Sequence, residues 1–179
     1  MNILRPTLTT PRLKIRAFRS EDFESFYTAI NEPKIAASMG ALSYPYPKEE
    51  AIKWFESHEQ MELSGRSLVM AITFEERVIG AVSLVGISYQ HSRCAVTYWI
   101  STPYWGNGYC TEALEAVIQF AANELSIHRI FAQCFERNHS SRRVLEKAGM
   151  TFDGLFVDDY KKDGVYENIV QMSLINKKD

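Results

Sequence analysis

The stretch "TPYWGNGYCTEALEAVIQFA", residues Thr102 to Ala121, decides the fold because it joins a strand-like sequence pattern to a helical one. Its two glycines, Gly106 and Gly108, follow a run of β-branched and aromatic residues and precede an amphipathic run. The apolar residues of that second run recur at helical spacing: Ala113, Leu114, Val117, Ile118, Ala121 and Ala122. The pattern predicts a tight strand-to-helix turn and then a helix from Glu112 to Asn123.

Upstream of this turn, the sequence alternates between strand and helix signals. The runs "SLVMAITF", "RVIGAVSLVGISY" and "CAVTYWIS" are separated by short polar turns and predict a three-strand antiparallel meander. Before them, "RLKIRAF" predicts a half-buried strand, while "SEDFESFYTAIN" and "PKEEAIKWFESHEQMEL" predict two helices. Prolines at positions 33, 45 and 47 predict an irregular connection between those helices.

Downstream of the turn, "RIFAQCF" predicts a strand and "HSSRRVLEKA" a helix that ends at Gly149. The segments "TFDGLFVDDY" and "YENIVQMSLI" predict a final hairpin with "KKDGV" as its turn. The predicted order is therefore β-α-α-β-β-β-α-β-α-β-β. Its central strand-helix-strand passage implies a right-handed crossover with some parallel pairing in a mostly antiparallel sheet. We expect an α+β (mixed α/β) fold in a single domain over residues 1–179.

The composition of the 179-residue chain is that of an ordinary globular protein, with 46% hydrophobic and 23% charged residues. A net charge of −2 does not indicate a nucleic-acid partner. No apolar run approaches the ~18 residues that a membrane span needs, so no membrane partner is expected. The three cysteines lack metal-ligand spacing and predict reduced thiols in a cytoplasmic protein without a bound metal.

The glycine loop admits several interpretations. A Walker loop is excluded because no Lys-Ser or Lys-Thr pair follows at the required spacing, and a dinucleotide fingerprint fails because Thr111 stands where the third glycine belongs. Two glycines alone are most often a turn that needs a positive φ. A helix N-terminus after such a turn nevertheless offers N–H groups to an anion, and Thr111 would either cap the helix or bind a phosphate oxygen. The loop thus favours a phosphate-bearing ligand.

Four segments in order resemble the GNAT superfamily of N-acetyltransferases, and more closely its Rim-type branch, which acetylates ribosomal-protein N-termini. They are "RLKIRAFRSEDFESFY", "PYWGNGYCTEAL", "NHSSRRVLEKAGM" and "GLFVDDYKKDGVYENIVQMSL", and together they cover nearly the whole chain. The resemblance implies a central twisted sheet flanked by helices. It also implies acetyl transfer from acetyl-CoA to a primary amine, such as the α-amino group of a protein N-terminus.

The same resemblance assigns residues to the site. Backbone groups of Trp99, Ile100 and Ser101 would hold the pantetheine arm. Asn138 would bond the pantetheine or a nearby backbone group, and the Ser141 hydroxyl would face the sulfur. The pyrophosphate would lie on the loop formed by Trp105, Gly106, Asn107, Gly108, Tyr109, Cys110 and Thr111. Many members carry a tyrosine that protonates the CoA thiolate, but that position is Leu145 here. Ser141 is our candidate replacement, and Asp159 is our candidate base or amine-orienting group.

Each assignment has a simpler alternative. Asn138 would also serve as a helix cap, Ser141 and Asp159 as solvated polar groups, and Arg142 and Arg143 either as 3′-phosphate ligands or as an exposed helix face. A small-molecule amine (a polyamine or an antibiotic) is the alternative acceptor, and a CoA-binding module without turnover is the alternative function. The edge of the final hairpin favours a homodimer.

Overall fold

The computed structural model describes residues 6–177, which build one eight-stranded sheet with the strand order β1-β2-β3-β4-β5-β6-β8-β7. The strands are β1 (Leu8–Thr9), β2 (Lys14–Ala17), β3 (Ser67–Phe74), β4 (Arg77–Ser88), β5 (Arg93–Ile100), β6 (Arg129–Phe135), β7 (Thr151–Lys162) and β8 (Val165–Ile175). The α-helices are α1 (Phe23–Ile30), α2 (Pro33–Ser38), α3 (Lys48–Leu63), α4 (Tyr109–Asn123) and α5 (His139–Lys147). The predicted fold class is confirmed.

Three details correct the predicted order of elements. The two-residue strand β1 is too short to leave an alternation signal, and α2 occupies part of the connection predicted to be irregular, with Pro33 at its first position. Helix α4 starts at Tyr109 rather than Glu112 because Gly108, with φ +81°, is its N-cap. Thr111 therefore lies inside the first turn and does not cap the helix.

The core has two parts, one on each face of the sheet. Helices α4 and α5 cover one face with fully buried side chains such as Leu114, Val117 and Leu145. Helices α1 and α3 cover the other face, where Phe26 stacks on Trp54 and contacts Trp99 edge-on. Side chains along β5 alternate accordingly, with Tyr98 facing α4 and α5 and Trp99 facing α1.

Strands β5 and β6 are the single parallel pair among residues 6–177, joined by the crossover helix α4. Their register runs only from Arg93 and Arg129 to Ala95 and Phe131. Beyond that point, β5 stays paired with β4 up to Ile100, and β6 stays paired with β8 up to Phe135. The two strands thus separate, and we call the opening between residues 96–100 and residues 132–135 the gap.

The β7–β8 hairpin turns through Asp163 and Gly164, which both have positive φ, as the predicted "KKDGV" turn requires. Lys162 Nζ donates to the carbonyls of Gly40 and Leu42, and the guanidinium of Arg137 donates to the carbonyl of Ala37. Two of these bonds attach the α2–α3 connection to the β7–β8 hairpin, and the third attaches α2 to the segment that follows β6.

Candidate functional site

Backbone groups of alternate β5 residues face the gap. Ser101 N–H donates to the Ile79 carbonyl at 2.8 Å, which makes that residue pair hydrogen-bonded in the β4–β5 register. Alternation along an antiparallel pair therefore directs the backbone groups of Trp99 toward β4 and those of Tyr98 and Ile100 toward the gap. The Ile100 carbonyl accepts from the Trp105 indole at 2.6 Å. Of the predicted trio Trp99, Ile100 and Ser101, only Ile100 thus presents an N–H to the gap, and Tyr98 joins it.

On the α5 face of the gap, three side chains meet. Tyr98 and Cys134 each lie three residues beyond the last β5–β6 register pair, and Ser141 lies in the first turn of α5. Ser141 Oγ is 2.8 Å from the Tyr98 hydroxyl. Burial raises the pKa of Cys134, opposed in part by Ser141 and Arg142, so the thiol stays protonated at neutral pH. The predicted residue Ser141 is therefore bonded to β5 at the point where β5 and β6 diverge.

Asn138 acts as the N-cap of α5. Its Oδ1 accepts from the backbone N–H of Ser141 at 3.1 Å, which fixes the first turn that carries the Ser141 hydroxyl. This observation favours the capping role of Asn138, and that role positions Ser141.

The glycine loop ends in an unblocked helix N-terminus. Gly106 and Gly108 have φ of +79° and +81°, conformations that side chains with a Cβ rarely adopt. The N–H groups of Tyr109, Cys110 and Thr111 have no acceptor within the helix, and Gly108 has no side chain to accept from them. These donors at the positive end of α4 are suited to a phosphate group. Burial raises the pKa of Cys110 to about 12, so this thiol adds no negative charge.

A cluster around Arg12 anchors this loop from outside. Its guanidinium donates to the Asn107 carbonyl at 2.9 Å, pairs with Glu112 at 2.6 Å and lies 4.4 Å from the centre of the Tyr109 ring. Glu112 also accepts from the Thr10 hydroxyl at 2.6 Å. Burial opposes ionisation of Glu112, but the hydrogen bonds from Thr10 and Arg12 outweigh it and hold its pKa below the usual range. Glu112 therefore ties the first turn of α4 to Thr10 and Arg12.

The α1 face of the gap carries a carboxylate that the sequence analysis missed. Glu32, the N-cap residue of α2, accepts from the buried Ser101 hydroxyl at 2.8 Å and from the Thr102 hydroxyl. Both donors directly follow the last residue of β5. A carboxylate offers about four lone-pair positions, so these two bonds leave Glu32 able to accept from an ammonium or amine group. Its contact with β5 spans 69 residues of sequence, and no local pattern signals it.

Asp159 lies in a bulge of β7. Between the register pairs Phe156–Ile169 and Tyr160–Glu167, β7 has three residues opposite one on β8, and Asp158 has φ +52°. Asp159 is exposed. The next residue, Tyr160, contacts Phe135 at 5.7 Å between ring centres, so the bulge sits beside the end of β6. Bulges commonly re-aim a side chain next to a site.

Arg142 pairs with Glu146 at 3.1 Å on the surface of α5, and Arg143 is exposed on the same helix. Across residues 6–177, no group of three or more His, Cys, Asp or Glu side chains is arranged to hold a metal ion. No helix within that span has the length and apolar character needed to cross a membrane.

Together these features fit a slender ligand with an anionic end. The phosphates would lie on the N–H groups at the start of α4, and the chain would run into the gap along Tyr98 and Ile100. Its reactive end would arrive between Ser141 on the α5 face and Glu32 on the α1 face. The residues present therefore fit the acetyl-CoA that the sequence resemblance implies.

Comparison with known proteins agrees with this geometry. A family model described as an acetyltransferase (GNAT) domain matches residues 12–151. The probable N-acetyltransferase YjcK of Bacillus subtilis is 37% identical over 106 residues, which are 59% of this chain and 59% of that protein. This match thus spans less than two thirds of YjcK.

Two further relatives differ in acceptor. The spermidine N(1)-acetyltransferase of Vibrio cholerae is 21% identical over 104 residues, 58% of this chain and 60% of that protein. The structure of RimL, a ribosomal L7/L12 α-N-protein acetyltransferase in complex with coenzyme A, has a TM-score of 0.90 at 19% identity, covering 97% of this chain and 100% of that one. At this identity the structural likeness shows the fold alone.

Proposed function

Because the chain belongs to the GNAT acetyltransferase family, we propose that it transfers the acetyl group of acetyl-CoA to the α-amino group of a protein N-terminus. The observation that carries this proposal is the difference between the two faces of the gap. Hydroxyl and thiol groups lie on the α5 face, where a sulfur would sit, and the Glu32 carboxylate lies on the α1 face, where a cationic amine would approach.

Each substrate then has its own set of residues. The loop Trp105–Thr111 would hold the pyrophosphate through backbone N–H groups, and the N–H groups of Tyr98 and Ile100 would hold the pantetheine. Ser141 would donate a hydrogen bond to the sulfur as it leaves. Amine attack on the acetyl carbon needs the two substrates aligned, and such alignment supplies much of the rate in transfers of this kind.

An α-amino acceptor suits this site because it asks little of a base. Its pKa is about 8, so a sizeable fraction is already neutral near pH 7, whereas a lysine-like amine has a pKa of about 10.4. Glu32 already accepts hydrogen bonds from Ser101 and Thr102, which hold its carboxylate in place to orient an amine. Asp159, at the bulge of β7, is the second carboxylate that we assign to the acceptor.

The test is an acetylation screen by mass shift, with thiol release measured in parallel. We expect peptides with free N-termini to gain one acetyl group and N-terminally blocked peptides with an internal lysine to gain none. Acetylation of polyamines or aminoglycosides with no acetylation of peptides would instead support the small-molecule acceptor. Thermal stabilisation by acetyl-CoA with no thiol release on any amine would support a module without turnover.

Glu32→Gln tests the acceptor side by itself. The substitution removes the charge and turns one of the two acceptor oxygens into a donor NH2, so one of the Ser101 and Thr102 hydroxyls must accept where it now donates. The KM for the amine should rise about tenfold while the KM for acetyl-CoA stays within twofold. Glu115→Gln, on the exposed face of α4, is the matched control. An equal rise in both KM values would show that Glu32 supports the fold of the site and does not contact the amine.

A further inference from the structure

The hydroxyl of Tyr98 makes two contacts with the same residue across the gap. It is 2.8 Å from Ser141 Oγ and donates to the Ser141 carbonyl at 3.1 Å. These bonds join β5 to the first turn of α5 over 43 residues of sequence. No sequence motif singled out Tyr98, and the sequence resemblance assigns it no role.

The two contacts compete for one proton. A phenol carries a single O–H, and a carbonyl only accepts, so while Tyr98 donates to the Ser141 carbonyl its oxygen is free to accept from Ser141 Oγ. When the Ser141 proton turns elsewhere, the Tyr98 proton can swing onto Ser141 Oγ instead. Burial raises the pKa of Tyr98, so the phenol keeps its proton at neutral pH and acts as a donor, not as an acid.

Ser141 has a second neighbour across the gap. The Cys134 thiol on β6 is protonated because burial raises its pKa, an effect that Ser141 opposes in part. The Ser141 hydroxyl is therefore bonded to Tyr98 on one diverging strand and lies beside a neutral thiol on the other. A donor held in this way is preorganised for a negative charge that develops at the mouth of the gap.

We propose that Tyr98 is a positioning residue for the leaving group: it holds the Ser141 hydroxyl at the gap and stabilises its oxygen while that hydroxyl donates to the departing sulfur. This inference rests on the proposed function. It gives the chain a hydroxyl pair in place of the tyrosine that Leu145 replaces.

The chemistry balances without a proton from Tyr98. The amine nitrogen forms a bond to the acetyl carbon, the carbon–sulfur bond breaks, and its electron pair stays on sulfur. The resulting thiolate accepts a hydrogen bond from Ser141 Oγ. The Tyr98 hydroxyl keeps its proton and changes the acceptor of its hydrogen bond from the Ser141 carbonyl to Ser141 Oγ. The amine proton leaves to solvent, and the pH then sets the protonation of the free CoA thiol.

The first experiment measures bound CoA, so it needs no acceptor. Thiolate absorbance of CoA bound to the protein is followed against pH in the wild type, in Tyr98→Phe and in the control Tyr89→Phe, which changes an exposed tyrosine far from the gap. We expect the pKa of the bound thiol to be lower in the wild type and in Tyr89→Phe than in Tyr98→Phe. Equal pKa values in all three proteins, or no binding of CoA, would overturn the inference.

The second experiment separates positioning from a merely structural role. With a competent amine, Tyr98→Phe should lower kcat about tenfold and leave the KM for acetyl-CoA within twofold, as loss of a hydroxyl that orients a donor does. The double variant Tyr98→Phe/Ser141→Ala should be no slower than Ser141→Ala alone. Additive losses in the double variant would contradict the inference, whereas a wild type inactive toward every amine would contradict the proposed function.

Discussion

At the scale of single residues, the site depends on side chains that lie far apart in sequence. Ser141 and Asn138 were predictable because a short motif contains both, and the resemblance carries that motif. Tyr98, Glu32 and Arg12 were not predictable, since their partners lie 43, 69 and 100 residues away. Local periodicity reports which face a residue occupies, but it does not report which distant residue it meets.

The role of Asp159, like the roles of the other assigned site residues, stays a prediction. If Asp159 receives a proton from the attacking amine, its help matters most at low pH, where most of the amine is protonated. Asp159→Asn should therefore lower kcat/KM by about tenfold at pH 6.5 and by a smaller factor at pH 9. Asp163→Asn, in the exposed hairpin turn, is the control for a lost surface charge. A pH profile identical to that of the wild type would remove Asp159 from the mechanism.

At the scale of elements, the β1–β2 turn is bonded to the glycine loop and to the start of α4 through Arg12. Arg12 donates to the carbonyl of Asn107, which lies in the loop, and pairs with Glu112, which lies in the first turn of α4. Helix α4 was predicted from its apolar spacing, but its start was placed three residues late because Gly108 carries no capping side chain. The sequence thus predicts a helix better than it predicts the end at which the ligand would bind.

Glu112→Gln tests this anchor through its pH dependence. The pKa of Glu112 is lowered from 4.5 in the folded protein, so its contribution to stability is present above that value and is lost as the pH falls through the folded pKa. We expect the variant to lose about 1 kcal/mol at pH 7, a fall of about 2–4 °C in Tm. Thermal melts should show this difference shrinking below pH 4.5, whereas a constant difference would point to lost packing.

At the scale of the whole molecule, the sheet consists of two well-paired halves with a short parallel junction. The order of the long elements along the chain and the class of the fold followed from alternation, and the presence of some parallel pairing followed from the strand-helix-strand passage. The gap could not be predicted in this way, because the point at which two parallel strands separate depends on the elements that pack on either face of the sheet. The short elements β1 and α2 were not predicted, because two and six residues are too few to show a periodic arrangement of apolar residues.

Acetyl-CoA should change hydrogen exchange along the gap and at the start of α4. Amides of Tyr98, Ile100 and the first turn of α4 have no strand or helix acceptor there, so a bound ligand that accepts from them should slow their exchange at least tenfold. Amides of β3, which is paired on both sides, serve as the internal control. Slowing confined to the first turn of α4 would show that the nucleotide binds without the arm entering the gap.

The separation of β5 and β6 also bears on how product leaves. Each strand presents an unpaired margin inside the sheet, and such a margin ordinarily invites another strand. An arm that carries amide groups would complete the ladder in place of a peptide, so the loaded protein would have a nearly continuous sheet. If coenzyme A occupies the gap in this way, its departure would be equivalent to removing a strand, and the rate would depend on sheet hydrogen bonds as well as on the phosphate loop.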